Sequence, residues 1–262
     1  MRPVIALLTD FGTRDHYVGT MKGVALGICG GARFVDITHE VPPHDILTGA
    51  LELVASYAYF PPGTTFLVVV DPGVGSARRG IAMAAGGYRF VAPDNGVLTP
   101  VVDGHKTIQA VELSEPRYAR ATISRTFEGR DRFAPAAAWI ASGVALTDLG
   151  RPAGALTRLD IPRPSAADDA VEGEVLRVDR FGNLITNIDR PMFDRVFGKA
   201  SVDVHIGSQP VPFVQTYADA AAGALCALFG SSDLIEIAAN AGSAADTLQI
   251  GRGAPVRIVR RA

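Results

Sequence analysis

Ionisable side chains are concentrated in the segment "TFEGRDRFAP", residues 126–135. Two acids and two arginines occupy positions 128–132, directly before an apolar run that begins at Ala134. Carboxylates beside guanidinium groups can accept a proton, orient a water molecule or simply pair with one another. Asp10 and Asp71, which end two apolar runs, add two more carboxylates. Which chemistry these groups support depends on the elements that position them.

The first half of the chain alternates apolar strand patterns with helical patterns. Asp45 is a candidate N-cap for the second helix. This alternation predicts an α/β fold, a Rossmann-like domain with a mostly parallel sheet. Ligands bind beyond the carboxyl ends of strands in such sheets, and Asp10 and Asp71 lie there. Strands are predicted at 4–12, 33–38, 65–71 and in a hairpin around Gly86–Gly87, and helices at 17–30, 45–60 and from Ala134.

Two loops at this edge carry the first candidates. In "TDFGTRDHY", Asp10 could accept both hydroxyls of a ribose, or it could be solvated while Asp15 caps a helix. In "VVDPGVGSARRG", the glycines allow close approach to a ligand, and the turn could bring Asp71 to Arg78. A tight turn with a surface ion pair is the alternative for this loop. The Asp-Asn-Gly sequence within "APDNGVLT" predicts a turn.

The second half of the chain changes character near residue 160. The stretch 161–172 is rich in Pro, Ala and Asp and lacks periodicity, which predicts a linker between domains 1–160 and 173–262. Short strand-like runs split by turn residues follow, typical of a smaller β-barrel-like domain. In "RFGNLITN", Asn183 and Asn187 near Phe181 suit an adenine or amino-acid ligand, although a core Phe with turn Asn is commoner.

Composition and motifs exclude several classes. The net charge of −2 and pI near 6.2 predict neither a nucleic-acid nor a membrane partner. Cys29 and Cys226 have no metal-type spacing, and His39 and His44 lack the companions of a zinc motif, so we expect no metal. The absence of G-x-S-x-G argues against a Ser–His–Asp hydrolase. The N-terminal apolar run is too short for a signal peptide, which predicts a cytoplasmic protein.

Seven segments, taken together and in order, resemble one known family in both predicted domains. They resemble the S-adenosylmethionine hydroxide adenosyltransferases, relatives of the fluorinase and chlorinase. The segments are "TDFGTRDHYVGTMKG", "DITHEVPPHDI", "FPPGTTFLVVVDPGVGSARRGIA", "APDNGVLT", "TFEGRDRFAPAAAWIASG", "VDRFGNLITNI" and "SSDLIEIAANAGSAADTL".

The resemblance implies hydrolysis of the small molecule S-adenosyl-L-methionine to adenosine and L-methionine, by attack of water or hydroxide on ribose C5′. It also implies an α/β domain followed by a barrel-like domain, and a homotrimer with active sites between subunits. The resemblance also implies that neither a metal nor any other cofactor is needed. The sulfonium group leaves as a neutral thioether, so the enzyme need not protonate it.

By the same resemblance, Asp71 and Arg78 belong to a catalytic set whose third position is Glu128. Asp10 would hold the ribose hydroxyls, and His44 takes the place of an aromatic residue over the ligand. Backbone groups of 239–241 would face adenine, and the serines of 231–232 the amino-acid part. The implied substrate-binding residues are Asp10, Asp15, Tyr17, His44, Asn95, Gly129, Asp179, Phe181, Asn183, Ser231, Ser232, Ala239, Asn240 and Ala241.

Glu128 departs from the family pattern, which normally has His in "TFHGRD". Glu128 could act as a general base, with burial and Asp71 raising its pKa. It could instead pair with Arg78 or Arg130 and hold the site, or it could abolish catalysis and leave a protein that only binds S-adenosylmethionine or adenosine. Halogenation is disfavoured, because Asp71 stands where halogenating relatives have a Tyr and would repel a halide.

Overall fold

The computed structural model describes residues 2–261. They divide into two compact units, one that ends at Asp160 and one that begins at Ile161. The first unit has the predicted α/β architecture, and the second has the predicted barrel-like one.

The first unit is built on a sheet whose order is β2-β1-β3-β5-β4-β6. Strands β2, β1, β3 and β5 pair in parallel, and β4 is antiparallel to both of its neighbours. The predicted hairpin around Gly86–Gly87 joins β4 to β5. The strands are β1 Val4–Thr9, β2 Arg33–Thr38, β3 Thr65–Val69, β4 Gly80–Ala85, β5 Tyr88–Pro93 and β6 Ile108–Glu112.

Helices cover both faces of this sheet, which explains why its central strands are continuously apolar. Ile5 and Leu7 of β1 pack in one core cluster with residues of α1 and α4. Ala6 and Leu8 point the opposite way, into a cluster that includes residues of α2 and α3. The predicted N-cap of α2 is present, since the Thr48 amide donates to Asp45 Oδ1 at 3.1 Å. The helices are α1 Tyr17–Ile28, α2 Ile46–Ser56, α3 Thr99–Gly104 and α4 Ala134–Ala141.

The second unit is an antiparallel sheet that curls into a nearly closed barrel. Its order is β11-β10-β14-β8-β9-β13-β12, with β7 paired to β8. Phe213, just after β11, forms a bridge with Ala227 of β12, which brings the two ends of this order together. The strands are β7 Ser165–Ala167, β8 Ala170–Val178, β9 Leu184–Asp189, β10 Val202–Ile206, β11 Gln209–Val211, β12 Leu225–Phe229, β13 Leu234–Ala239 and β14 Pro255–Arg260.

Three elements of this unit differ from the sequence expectation. The stretch 161–172, predicted as a linker, carries β7 and the start of β8, because residues 168–169 form a hairpin turn between them. Two short helices, α5 Arg190–Phe197 and α6 Ala244–Leu248, interrupt the predicted run of strands. Helix α5 begins with an Asp189 cap followed by a proline, and its Phe193 and Phe197 are one turn apart and buried.

Candidate active site

The loop from β3 to β4 carries a bidentate ion pair at the carboxyl edge of the parallel strands. Arg78 donates from Nε to Asp71 Oδ1 at 2.9 Å and from Nη2 to Asp71 Oδ2 at 2.5 Å. Gly75 has a φ of +77°, and a Cβ there would overlap the carbonyl oxygen of Arg125. The loop therefore packs closely against the segment that leads to Glu128.

Glu128 reaches the same guanidinium group. Arg78 Nη1 donates to Glu128 Oε2 at 3.0 Å, and Arg132 Nε lies 3.2 Å from that oxygen. We call Asp71, Arg78, Glu128 and Arg132 the charged cluster. The side chains of Asp71, Arg78 and Glu128 are at most 10% exposed, and Arg78 stacks over the Phe133 ring at 5.1 Å. Two carboxylates thus share one buried arginine.

Charge complementarity within the charged cluster is visible in the pKa of Arg78. Burial alone would lower this pKa. The hydrogen bond and charge of Asp71, followed by those of Glu128, outweigh burial and raise the pKa of Arg78 above its usual value. Arg78 is consequently a fixed cation that holds both carboxylates.

A π-helical turn, Gly129–Phe133, connects Glu128 to α4. The amide of Ala134 donates to Gly129 O, five residues back. Of the two arginines considered as partners of Glu128, Arg78 pairs with it, whereas Arg130 binds the buried Asp131 through Nε and Nη2, both at 2.7 Å. Glu128 and Asp131 therefore pair with different arginines, although only two residues separate them in the sequence.

The Asp10 loop, residues 10–16, joins β1 to α1 beside the charged cluster. Asp10 Oδ2 accepts a 2.8 Å hydrogen bond from the amide of His44, a residue with a φ of +69°. Asp15 is exposed, and Tyr17 is 41% exposed with its ring 5.1 Å from that of Phe127. The ring of Tyr17 therefore lies next to the residue that precedes Glu128.

Gly129 and Asn95 have packing and bracing roles in the structure. A Cβ on Gly129 would lie 3.0 Å from Met21 Sδ, so the close approach of α1 favours glycine at this position. Asn95 donates from Nδ2 to Val70 O at 2.8 Å and accepts from the Val97 amide at 3.2 Å. Asn95 thus braces the residue directly before Asp71.

In the second unit, Asp179 organises its own loop between β8 and β9. Its Oδ1 accepts from the amides of Phe181 at 2.8 Å and Asn183 at 2.9 Å, and its Oδ2 accepts from Asn183 Nδ2 at 3.0 Å. Asn183 is buried, while the Phe181 side chain is 76% exposed. Three hydrogen bonds to Asp179 therefore hold a loop from which the ring of Phe181 is exposed.

The remaining candidates of the second unit lie on either side of β13. Ser231 and Ser232 are exposed in the turn before the strand. After the strand, the Asn240 amide donates to Ala224 O at 3.0 Å and its carbonyl accepts from Gly223 at 2.7 Å. Ala239 is buried, and Ala241 is exposed with a φ of +55°. The backbone of Asn240 is thus engaged within the unit, and the adenine role of 239–241 stays a prediction.

Sequence reasoning missed one residue that contacts a candidate and one buried pair that lies near another. Arg132 lies four residues after Glu128, a spacing typical of helical ion pairs that could have revealed it. Tyr217 donates its hydroxyl to Glu236 in the second unit. Burial, together with the nearby charge of Asp179, raises the pKa of Glu236 even though Tyr217 donates to it. No sequence spacing indicated that contact.

Among residues 2–261, no group of three His, Cys, Asp or Glu side chains is placed to hold a metal ion. No helix in the described part of the chain has the length and apolarity needed to cross a bilayer.

Comparison with known proteins gives the family. Residues 5–150 match the model of the SAM hydroxide adenosyltransferase N-terminal domain, and residues 173–257 match that of the C-terminal domain. The chain belongs to the SAM hydroxide adenosyltransferase family. The resemblance inferred from seven short segments is therefore confirmed.

Individual relatives support the same assignment. A protein of Thermus thermophilus named (R)-S-adenosyl-L-methionine hydrolase is 40% identical, over 99% of this chain and 100% of its own. A fluorinase of Actinoplanes is 32% identical, over 83% of this chain and 84% of its own. The crystal structure of an uncharacterized conserved protein from Thermotoga maritima has a TM-score of 0.91 at 36% identity, over 98% of this chain and 100% of that one.

Proposed function

We propose that this protein hydrolyses S-adenosyl-L-methionine to adenosine and L-methionine. The observation that carries the proposal is the buried Asp71–Arg78 pair at the carboxyl edge of the parallel strands, in a chain of this family. Water oxygen forms a bond to ribose C5′, and the C5′–S bond breaks. Its electron pair stays on sulfur, which becomes the neutral thioether of methionine. The water gives up one proton to a base and keeps the other as the new hydroxyl of adenosine.

The charged cluster supplies position and a proton acceptor for this step. Asp71 orients the attacking water and accepts its proton, and Arg78 fixes the carboxylates of Asp71 and Glu128 through its guanidinium fork. The two guanidinium charges of the cluster are balanced by two carboxylates, so it offers no net positive charge to a halide ion. Water is therefore a better attacker here than halide or free hydroxide.

The other candidates would hold the substrate. Asp10 binds the ribose hydroxyls, and Phe181 and Asn183 contact the adenine and methionine ends. These residues belong to both units, which fits a homotrimer whose active sites lie between subunits. We further propose that the reaction needs no metal or other cofactor and takes place in the cytoplasm.

Glu128 supports a second candidate function, binding without catalysis, because it replaces the family's His. In the structure Glu128 is an ion-pair partner of Arg78 and Arg132, which matches a residue that holds the site. The retained Asp71–Arg78 pair favours the enzyme, since only catalysis needs both. Glu128→His should raise turnover. An unchanged or lower rate would remove Glu128 from the residues that impair the reaction.

Incubation with S-adenosyl-L-methionine from about pH 6 to about pH 10 tests the proposal. Adenosine and methionine are followed by chromatography, with Asp71→Ala in parallel and water enriched in heavy oxygen. We expect adenosine whose 5′-hydroxyl carries the heavy isotope, and its loss in Asp71→Ala. Substrate binding without adenosine formation would favour the binding function. Light scattering after gel filtration tests the trimer.

A further inference from the structure

His39 directly follows β2 and contacts the Asp10 loop with both its backbone and its side chain. Its carbonyl accepts a 2.7 Å hydrogen bond from the Gly12 amide. Its Nδ1 lies 2.8 Å from Thr9 Oγ1, the hydroxyl of the residue directly before Asp10. Thr9 is fully buried and His39 is 5% exposed. Because buried polar groups are nearly always hydrogen-bonded, each of these two side chains depends on the other as a partner.

The Thr9 hydroxyl has a second partner. The amide of Phe11 donates to Thr9 Oγ1 at 3.3 Å, and one of Thr9 Oγ1 and His39 Nδ1 donates to the other. Thr9 Oγ1 therefore links the His39 ring to the backbone on the far side of Asp10. Nε2 faces Asp36 Oδ1 at 3.0 Å, an ion-pair distance at an angle outside hydrogen-bonding range.

Asp36 is itself anchored from α1. Lys22 donates from Nζ to Asp36 Oδ2 at 2.6 Å. Burial alone would raise the pKa of Asp36, but the nearby Lys22 and His39 outweigh burial and lower that pKa. A line of contacts therefore runs from Lys22 through Asp36 and His39 to Thr9.

The β1–β2 pairing places His39 at this point. Leu7 pairs with Asp36 and Leu8 with Thr38, so the register skips one residue of β2. Such an irregularity re-aims the residues that follow it. The segment that continues from His39 also supplies the His44 amide that binds Asp10 Oδ2 at 2.8 Å.

We propose that His39 is a positioning residue that sets the carboxylate of Asp10 for the ribose hydroxyls of the substrate, acting through Thr9 and Gly12. This role rests on the proposed function, in which Asp10 binds the ribose. His39 does not touch substrate. It fixes the backbone on both sides of Asp10, so its loss weakens the recognition of the ribose hydroxyls more than the recognition of the rest of the nucleoside.

The test compares the affinities for adenosine and for dideoxyadenosine, which has neither of the ribose hydroxyls that Asp10 would bind. Wild-type protein should prefer adenosine by about tenfold or more, the value of a hydrogen bond to a charged group. His39→Leu should remove most of this preference, and so should Thr9→Val, which keeps the side-chain shape. His39→Asn places an amide near the position of Nδ1 and should restore part of it.

Two controls make the outcomes distinct. His105→Gln alters another histidine–hydroxyl contact, His105 Nε2 to the Tyr57 hydroxyl at 3.1 Å, beside the β4–β5 turn at the other edge of the sheet. It should leave the preference unchanged. Asp10→Ala should abolish the preference.

In one outcome, His39→Leu and Thr9→Val weaken the binding of adenosine and of dideoxyadenosine equally, while Asp10→Ala still abolishes the preference. That outcome would overturn the role of His39 and leave the role of Asp10 standing. A preference that survives Asp10→Ala would overturn the ribose role of Asp10 and that of His39 with it. If His39→Leu does not fold, Thr9→Val and His39→Asn decide the question.

Discussion

The two units hold their candidate carboxylates in different ways. In the first unit, Asp71 and Glu128 are tied together by Arg78, and Glu128 and Arg78 are 50 residues apart in sequence. In the second unit, Asp179 is held by amides two and four residues ahead of it in its own loop. One arrangement is tertiary and built from charges, and the other is local and built from backbone groups.

This difference predicts how each region responds to substitution. The charged cluster is buried, so removal of one member leaves other charges without compensation. The Asp179 loop loses individual hydrogen bonds, whose net contributions are about 1 kcal/mol each. The charged cluster should therefore couple catalysis to global stability, whereas the Asp179 loop should be locally independent.

Arg78→Met should have the largest effect on stability, because it leaves Asp71 and Glu128 buried without their guanidinium partner. We expect a loss of about 3 to 5 kcal/mol in the free energy of unfolding, measured by urea denaturation. The matched control is Arg151→Met, which removes a hydrogen bond to Glu112 from a side chain that is 74% exposed. It should cost at most about 1 kcal/mol. Equal losses of stability in Arg78→Met and Arg151→Met would contradict the greater importance of the buried charged cluster.

Asp131→Asn tests a second charged group beside the cluster. Burial raises the pKa of Asp131, but hydrogen bonds from Arg130 and from the Ser124 amide, with the charges of Arg130 and Arg120, lower it overall. A lowered folded-state pKa adds stability above the unfolded pKa of about 4, and this stability is lost as pH falls through the folded value.

We therefore expect Asp131→Asn to cost about 2 kcal/mol near neutral pH. The difference in stability between Asp131→Asn and wild type should shrink below about pH 4, as measured by thermal unfolding across pH. Asp203→Asn removes a surface pair with Arg261 and should cost no more than about 0.5 kcal/mol at any pH. If the stability difference between Asp131→Asn and wild type does not depend on pH, the carboxylate charge of Asp131 is not its cause.

Asp179→Ala should have a smaller and more local effect. We expect a loss of about 1 to 2 kcal/mol and faster amide hydrogen exchange at Phe181 and Asn183. Asp179→Asn retains one acceptor oxygen and should preserve part of the protection. Faster exchange throughout β8 and β9 would show that the loop is not independent.

Phe181→Ala should have the smallest effect on stability, within about 0.5 kcal/mol, because the ring is 76% exposed. If the ring contacts the ligand, the affinity for adenosine should fall about tenfold, as measured by calorimetry. Tyr59→Ala removes an aromatic ring that is 83% exposed in the first unit and should leave affinity unchanged. Unchanged affinity in Phe181→Ala would remove the ring from the binding site.

The sequence predicted the two fold classes because strand and helix periodicities are local signals. The continuous apolar runs of β1 and β3 indicated a sheet buried on both faces, as observed. Helix α5 was missed because its eight residues lie between two strand patterns, although its buried Phe193 and Phe197 have helical spacing. Short elements carry too few residues for periodicity to outweigh their surroundings.

The charged cluster could be predicted only in part. Asp71 and Arg78 share one glycine-rich turn, so their pairing followed from the sequence. The contact of Glu128 with Arg78 was one of several alternatives, because nothing in the sequence reveals the π-helical turn that separates Glu128 from Asp131. The Thr9–His39 contact joins residues 30 positions apart and depends on an irregular β1–β2 register. Patterns within one segment do not encode such a contact.

The π-helical turn at Gly129–Phe133 also matters for how the family can vary. It holds one residue more than a regular α-helix would. Deleting one residue within it would join this segment to α4 as a single α-helix and rotate everything before the deletion by about 100° around the helix axis. A change of length by one residue could thus redirect position 128 while the alanine-rich core contacts of α4 stay in place. Insertion and deletion at this turn, as well as substitution, would therefore change which side chain faces the Asp71–Arg78 pair.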